Sequence, residues 1–426
     1  MTKPVAPTVA GLFSGEFPVR LTAYDGSEAG AEGEYSMELR SERALRYLLT
    51  APGDLGLARA YVSGDLEMHG VHPGDPYPLL SRIVGRTDFE RPSVQGLAQL
   101  VRDLGLTSFV PPAPPAEEHL PGWRYKLEGL RTWSRHSEVR DADAIHHHYD
   151  VSNEFYEYVL GPSMTYTCAV FEHEDATLEE AQAAKYDLIC RKLNLQPGQR
   201  LLDIGCGWGG MVRHAARHYG VRALGVTLSA EQAEWAQRAI KEDGLDDLAE
   251  VRFSDYRHVE EGDFDAVSSI GLTEHIGVAN YSAYFEFIRS KLRPQGRVLN
   301  HCITRNNNRP TKTGKFIDRY VFPDGELIGS GTIISAIQDI GLEVRHEENL
   351  REHYARTLAG WCANLRDNWD ACVEEVGEPT ARVWGLYMAG SRAGFERNTV
   401  QLHQVLAIKP QETGDAGLPL RPWWTA

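Results

Sequence analysis

One stretch constrains this chain more than any other: Arg200 to Arg213, RLLDIGCGWGGMVR. A short apolar run (Leu201, Leu202, Ile204) ends in a glycine-dense loop and passes at once into a helical pattern from Met211 to His218. A strand, tight turn and helix in that order open a Rossmann-like βαβ unit, where glycines let the backbone approach a bound nucleotide and free helix N–H groups face it. Gly205, Gly207 and Gly210 satisfy G-x-G-x-x-G, a spacing that structural glycine turns share and that is weak on its own. Further on, the pattern predicts strands at 221–227, 250–254, 264–270 and 296–303, and helices at 211–219, 230–243 and 280–292. An amphipathic helix, Leu178 to Leu193, precedes the loop. Strands alternating with helices imply an α/β fold with a mostly parallel, doubly wound sheet, whose ligands sit beyond the carboxyl ends of the strands.

Two features argue against NAD or FAD as that ligand. Asp203 stands at the carboxyl end of the first strand, where it repels a pyrophosphate and attracts a cation. The next strand ends in Thr227-Leu228-Ser229, with no carboxylate for a ribose hydroxyl. S-adenosylmethionine, which carries a sulfonium and an ammonium and no phosphate, fits an acidic, glycine-lined crevice better. An NAD-dependent oxidoreductase is the competing reading, and a catalytically silent lipid-binding protein a third.

At 426 residues, two domains are the expectation. Net charge of −16 disfavours nucleic acid and general adsorption to anionic membranes. Six scattered cysteines without a C-x-x-C pair make neither a zinc site nor a disulfide framework and suit a reducing cytoplasm. No apolar run approaches the roughly 20 residues of a membrane helix, so the expectation is a soluble, at most peripheral, protein.

Residues 1–106 read as a small α+β accessory module, with strands at Pro18 to Ala23 and Glu34 to Arg40 and helices at Leu45 to Leu57 and Pro78 to Leu104. The proline-rich 107–122 reads as a linker, leaving 123–426 as the main domain. His146-His147-His148 does not read as a metal site, because adjacent side chains cannot all face one ion. Arg305, Arg309, Lys312, Lys315 and Arg319 form a positive cluster, read either as a solvated loop or as a phosphate or lipid-headgroup contact. Leu350, Tyr354, Leu358, Trp361, Leu365 and Trp369 recur at helical spacing, in a helix expected to end at Pro379. A second helix, Ala381 to Asn398, and a closing strand, His403 to Lys409, follow.

Several motifs resemble one family in order: HHYDVSNEFYEYVLGP-SMTYTCAVF (146–171), LLDIGCGWGG (201–210), GVTLSAEQ (225–232), FSDYR (253–257), FDAVSSIGLTEHIGVANY (264–281), LNHCIT (299–304), FIDRYVFPDGEL (316–327), HYARTLAGW (353–361) and FERNTVQLHQVL (395–406). The chain resembles the cyclopropane fatty acid synthases, S-adenosylmethionine-dependent class I methyltransferases acting on the cis double bond of phospholipid acyl chains. The resemblance implies that residues around 305–398 form a helical, substrate-covering insertion. It implies a bound bicarbonate as base, held by Cys168, Glu274, the backbone around Ile303, His301 and Tyr354. Glu274 and Cys168 have plainer readings too, as a structural salt-bridge partner and a buried small side chain. For the cofactor, it implies that Gly205, Gly207 and Gly209 line the methionine portion and Asp203 the ammonium side. Thr227, Ser229 and Gln232 stand near the ribose, Asp255 and Tyr256 near the adenine, Tyr166 and Thr167 in a lid, and Ile270 among the cofactor contacts. Thr273 replaces the family's usual aromatic before the Glu-His pair.

An alkene is a poor nucleophile, so such a site must align its π face with the S-methyl and exclude water. Methyl transfer leaves a carbocation; loss of a proton then closes a cyclopropane ring or, after a hydride shift, gives an exocyclic methylene. The overall look favours the actinobacterial methylene-forming branch, on the way to 10-methyl-stearate, with a flavin-dependent reductase as a physical partner. The same reading expects the inner membrane face as its working surface and admits a homo-oligomer.

Overall fold

The computed structural model describes residues 3–85, 93–118, 151–309, 311–323 and 325–424. The His146–His148 tract therefore lies outside the described residues. The chain forms two compact units: residues 1–125, 314–323 and 358–397 make one, and residues 126–313, 324–357 and 398–426 the other.

The larger unit is built on a seven-stranded sheet. Its strands are β1 (Arg200–Ile204), β2 (Arg222–Thr227), β3 (Ala249–Phe253), β4 (Phe264–Ile270), β5 (Leu292–Arg305), β6 (Glu343–Asn349) and β7 (Val400–Ile408). They lie in the order β6-β7-β5-β4-β1-β2-β3. The five strands from β5 to β3 run parallel, whereas β7 runs antiparallel to both of its neighbours. Helices α1 (Asn153–Leu160), α2 (Leu178–Leu193), α3 (Gly210–Tyr219), α4 (Ala230–Glu242), α5 (Thr273–Ile276), α6 (Tyr281–Lys291), α7 (Ser330–Asp339) and the first turns, as far as residue 357, of α8 (Arg351–Asp367) accompany it. The α/β, mostly parallel fold expected from the alternation is the one observed.

Side chains on a strand alternate faces, and that alternation sorts the core into two layers. Leu201, Leu299 and Leu406 pack on one face with Ile189, Cys190 and Leu193 of α2. Leu202, Ile204, Val267 and Val405 pack on the other with Tyr284, Phe285 and Ile288 of α6. The ends of α2 were legible because its caps are local: Thr177 and Glu180 close a capping box, and Asn194 turns left-handed at the C-terminus. β6 was not legible. Its sequence, EVRHEEN, is that of a charged edge strand, and it exists because it pairs with β7.

In the smaller unit, strands Arg20–Ala23, Glu28–Ala29, Ser36–Leu39 and Leu66–His69 form a four-stranded sheet. The helix expected over Leu45–Leu57 is two, Glu42–Thr50 and Asp54–Val62, broken where Gly53 takes φ 99°. Helices Tyr77–Ile83 and Val94–Leu104 stand where one helix was expected over 78–104. The proline-rich stretch is tied down as far as it is described. Tyr47 Oη donates to the Ala113 carbonyl at 2.6 Å, and Arg59 forks onto the buried Glu118 at 2.5 and 2.6 Å. Pro379 does not end a helix. It occupies the first turn of Glu378–Glu396, where a missing N–H costs nothing. Residues 358–397 group with the N-terminal segment, and not with the sheet-bearing unit to which sequence order assigned them.

Candidate functional site

The glycine loop leaves β1 with Gly205, Gly207 and Gly209 all at positive φ (73°, 53° and 75°), a backbone that side chains other than glycine rarely adopt. The amides of Gly205 and Cys206 both donate to the Val226 carbonyl, at 2.9 and 3.0 Å, tying the loop to β2. A side chain at Gly207 would enter open space, so this turn of the loop faces outward, free for a ligand. Trp208 covers the loop: its Nε1–H donates to Asn153 at 2.8 Å, and its ring lies 4.8 Å from Tyr156, which in turn contacts Tyr166.

Asp203 shares a face with Leu201, the face covered by α2, and accepts from Ser268 Oγ at 2.6 Å. Burial pushes its carboxyl up to about 6, against the opposing pull of Ser268 and Lys185. Lys185 is fully buried on α2, and its ammonium donates to Thr167 Oγ1 at 2.9 Å. Burial pulls that ammonium down to about 7, with Cys168 and Asp203 opposing. Sequence reading missed Lys185, because a lysine in an amphipathic helix reads as solvated.

Thr227, Ser229 and Gln232 form a buried, hydrogen-bonded set, from which Ser229 Oγ also donates to Glu231 at 3.0 Å. Thr227 Oγ1 bonds Gln232 Oε1 at 2.8 Å, and Ser229 Oγ caps α4 by accepting from the Gln232 amide at 3.2 Å. Asp255 is more heavily engaged than a free adenine acceptor would be. Its Oδ1 takes the amide and Nε of Arg257, both at 2.8 Å, and its Oδ2 takes Nη2 at 2.6 Å. Tyr256 packs edge-on against Tyr284 and Phe287. Ile270 ends β4 in register with His301, and the Gly271 amide donates to the His301 carbonyl at 2.7 Å.

The candidate catalytic residues lie on segments that backbone and side-chain hydrogen bonds link around this strand end. Glu274 is buried on the short α5, with Oε1 3.5 Å from the Ile303 amide and Oε2 without a partner among the described residues. Burial raises its carboxyl to about 7, and its own amide and that of Ile303 oppose the rise. His301 sits two residues before Ile303 on β5 and so on the same face. It is fully buried, its Nε2 has no partner among the described residues, and burial with the fields of Lys185 and Lys192 holds it well below the usual imidazole range. Ile303 pairs with Leu402 on β7; the Leu402 carbonyl takes the Leu350 amide at 2.8 Å, and Cys168 Sγ reaches the Leu350 carbonyl at 3.8 Å. Burial pushes the Cys168 thiol up, so it acts as a neutral group. Tyr354 lies one turn into α8, buried, its amide on the Leu350 carbonyl at 3.2 Å.

The strap that carries Thr167 and Cys168 is fastened at several points. Gln182 donates to the Thr167 carbonyl at 2.9 Å, Thr357 Oγ1 accepts from the Ala169 amide at 3.0 Å, and His353 Nδ1 accepts from the Phe171 amide at 3.0 Å. Sequence reading did not single out Gln182, His353 or Thr357, since no local pattern marks a residue that holds another segment. Thr273 is displaced from where its motif position suggested. It is buried and donates to Asn300, which alternates with His301 and so points to the opposite face of the sheet.

These residues fit both implied groups. The loop glycines and Asp203 offer an acidic crevice at the strand ends. The orphaned Glu274 Oε2 and His301 Nε2 offer two buried hydrogen-bonding atoms to a small oxyanion.

Comparisons with known proteins give the family and the fold. The family model for mycolic acid cyclopropane synthetase matches residues 136–405. The chain is 63% identical over 413 residues to a probable fatty acid methyltransferase of Mycobacterium tuberculosis, covering 96% of each. It is 33% identical over 289 residues to the cyclopropane-fatty-acyl-phospholipid synthase of Escherichia coli, covering 68% of this chain and 74% of that one. The solved cyclopropane synthase MmaA2 from Mycobacterium tuberculosis matches with a TM-score of 0.59 at 33% identity, covering 64% of this chain and 99% of that one. Mycolic acid cyclopropane synthase CmaA1, solved in complex with SAH and CTAB, matches at the same score and identity, covering 63% and 98%. Matched by the family model over most of its length and by a 63% identical relative over nearly all of it, the chain belongs to the mycolic acid cyclopropane synthetase family of S-adenosylmethionine-dependent methyltransferases.

Proposed function

We propose that this enzyme transfers a methyl group from S-adenosylmethionine to the cis double bond of an unsaturated, oleoyl-type phospholipid acyl chain, and that deprotonation then gives a 10-methylene fatty acid. The observation that carries the reading is that Glu274 Oε2 and His301 Nε2 are both buried and, among the described residues, without a partner. Such atoms are costly to bury without a purpose, and they suit holding a small oxyanion that takes a proton from the carbocation left by methyl transfer.

S-adenosylmethionine, when bound, supplies a methyl made electrophilic by its sulfonium. Asp203 gives the crevice its negative character, and the tilted aromatic cluster of Trp208, Tyr156 and Tyr166 stands beside the glycine loop. Bicarbonate, when bound, supplies a proton acceptor. Glu274, with a carboxyl near neutrality, can hold or release a proton at Oε2, while the Ile303 amide and His301 fix the orientation of an oxyanion. Cys168 and Tyr354 would complete its surroundings, and the strap over 167–171 excludes water.

The 63% identical relative is named as a probable fatty acid methyltransferase, which supports methyl transfer to an acyl chain; the methylene outcome rests on the resemblance to the methylene-forming branch. Ring closure to a cyclopropane is the second reading, supported by the name of the Escherichia coli relative. Thr273 supports neither, because it faces away from His301. An acyl substrate places the working surface at a bilayer, with exposed Arg309 available to a headgroup. Among the described residues, no helix is long and apolar enough to cross a membrane. A methylene product calls for a flavin-dependent reductase, which would be a physical partner, and a second copy of the chain is a further candidate partner.

The test is mass spectrometry of fatty acids after incubation with oleoyl phospholipid vesicles and methyl-labelled S-adenosylmethionine. Label in a chain one carbon heavier is expected, with ozonolysis and NMR giving a methylene. Label in a ring overturns the product assignment, and no label in any acyl chain overturns the substrate class.

A further inference from the structure

Three strands place Glu348 (β6), Gln404 (β7) and His301 (β5) side by side in one cross-strand row: Glu348 pairs with Gln404, and Gln404 with His301. Residues in register share a face, so the three side chains lie along the layer that α2 covers. Into that layer α2 sends Lys192, fully buried, seven residues after Lys185 and therefore on the same side of the helix. The Lys192 ammonium meets the Glu348 carboxylate and donates to Gln404 Oε1 at 2.7 Å. The other end of that amide, Gln404 Nε2, lies 3.2 Å from His301 Nδ1.

Donor and acceptor roles along this row follow from one fact: an ammonium can only donate. Its bond to Gln404 settles which end of the amide is oxygen; burial lowers the Lys192 ammonium from its ordinary value, and the Glu348 carboxylate in contact with it opposes that and favours the charged form. The nitrogen of the amide, also a pure donor, then faces His301 Nδ1, which must accept. A neutral imidazole that accepts at one nitrogen carries its proton on the other. We propose that Lys192 and Gln404 are positioning residues that lock His301 in the Nε2–H tautomer, so that its buried, unpartnered Nε2 is an obligate hydrogen-bond donor toward a small oxyanion such as bicarbonate. The His301 ring therefore orients the anion and does not itself remove the substrate proton. The site's proton acceptor must come from elsewhere. The anion-facing role rests on the proposed function; the tautomer does not.

Nitrogen-15 NMR of the full chain, labelled in its histidine rings, reads the tautomer directly, with His301→Asn assigning the signal. Wild-type protein at neutral pH should show His301 protonated at Nε2 only. In Gln404→Glu, a carboxylate takes the place of the amide, accepts from Lys192 with one oxygen and faces Nδ1 with the other, so the proton should move to Nδ1 or the ring should become charged. In Lys192→Met the amide is released to rotate, and a mixture of both tautomers should appear. Methyl transfer in carbonate-depleted buffer, restored by added bicarbonate, gives the second readout. Gln404→Glu should need about tenfold more bicarbonate for half-maximal turnover, the scale of one lost hydrogen bond to a charged group. A wild-type Nδ1–H tautomer, or an unchanged tautomer in both variants, overturns the lock. A shifted tautomer with unchanged bicarbonate dependence overturns the positioning role. Failure of the wild-type enzyme to methylate any lipid overturns the functional reading and leaves the tautomer result standing.

Discussion

Glu274 shows what a single buried carboxyl does to this protein. Its raised value, about 7 against the ordinary 4.5, means that the folded chain holds a proton that the unfolded chain releases between those two pH values. Stability associated with this group is therefore fully present below about pH 4.5 and is lost as pH rises through 7, by about 3 kcal/mol in all. Glu274→Gln removes the charge and keeps the shape. It is expected to raise the melting temperature at pH 8, to leave it little changed at pH 4.5, and to abolish methyl transfer. A variant that melts no higher at pH 8 than the wild type would refute the assignment of a strained carboxyl. Glu274, His301 and Cys168 were legible from the motifs they occupy. Lys185, Lys192 and Gln404 were not, because a lysine or glutamine acquires its role only when another strand or helix brings it a partner.

At the scale of elements, the strap and the turn after β4 depend on one close approach. Gly271 has φ 73°, and a Cβ there would stand 2.8 Å from Thr167 Cγ2. Gly271→Ala combines left-handed strain with that clash, so a loss of about 1–3 kcal/mol in stability is expected, together with weakened S-adenosylhomocysteine binding by calorimetry. Unchanged binding would show that the strap does not shape the cofactor site. Thr177→Ala, which opens the capping box of α2, should cost about 1 kcal/mol and leave turnover intact, checked by chemical denaturation beside an activity assay. β1, β4 and α2 were legible to the residue, since apolar runs and local caps specify them. The charged β6 was not, since its neighbour β7 supplies the reason for its existence.

For the whole molecule, the discontinuous smaller unit carries its own ion cluster. Glu118, with a side chain 2% exposed, is held by Arg59, and Arg319 approaches it at 3.7 Å. Removing one partner of a buried pair leaves the other uncompensated, so Glu118→Ala should cost about 3–5 kcal/mol in denaturant unfolding. The exposed pair Arg20–Glu28 should contribute under about 1 kcal/mol by the same measure, and equal losses from the two would contradict the burial argument. By itself, the sequence determined the parallel sheet, the glycine loop, the absence of a dinucleotide acid after Thr227 and the motif residues of the site. Those features are written in short-range periodicity and spacing. Only the tertiary structure decided that 314–323 and 358–397 join the N-terminal segment, that Thr273 faces away from His301, and that Lys192 reaches His301 through Gln404. Each of those depends on strand register and on contacts between residues far apart in the chain, for which local patterns carry no signal.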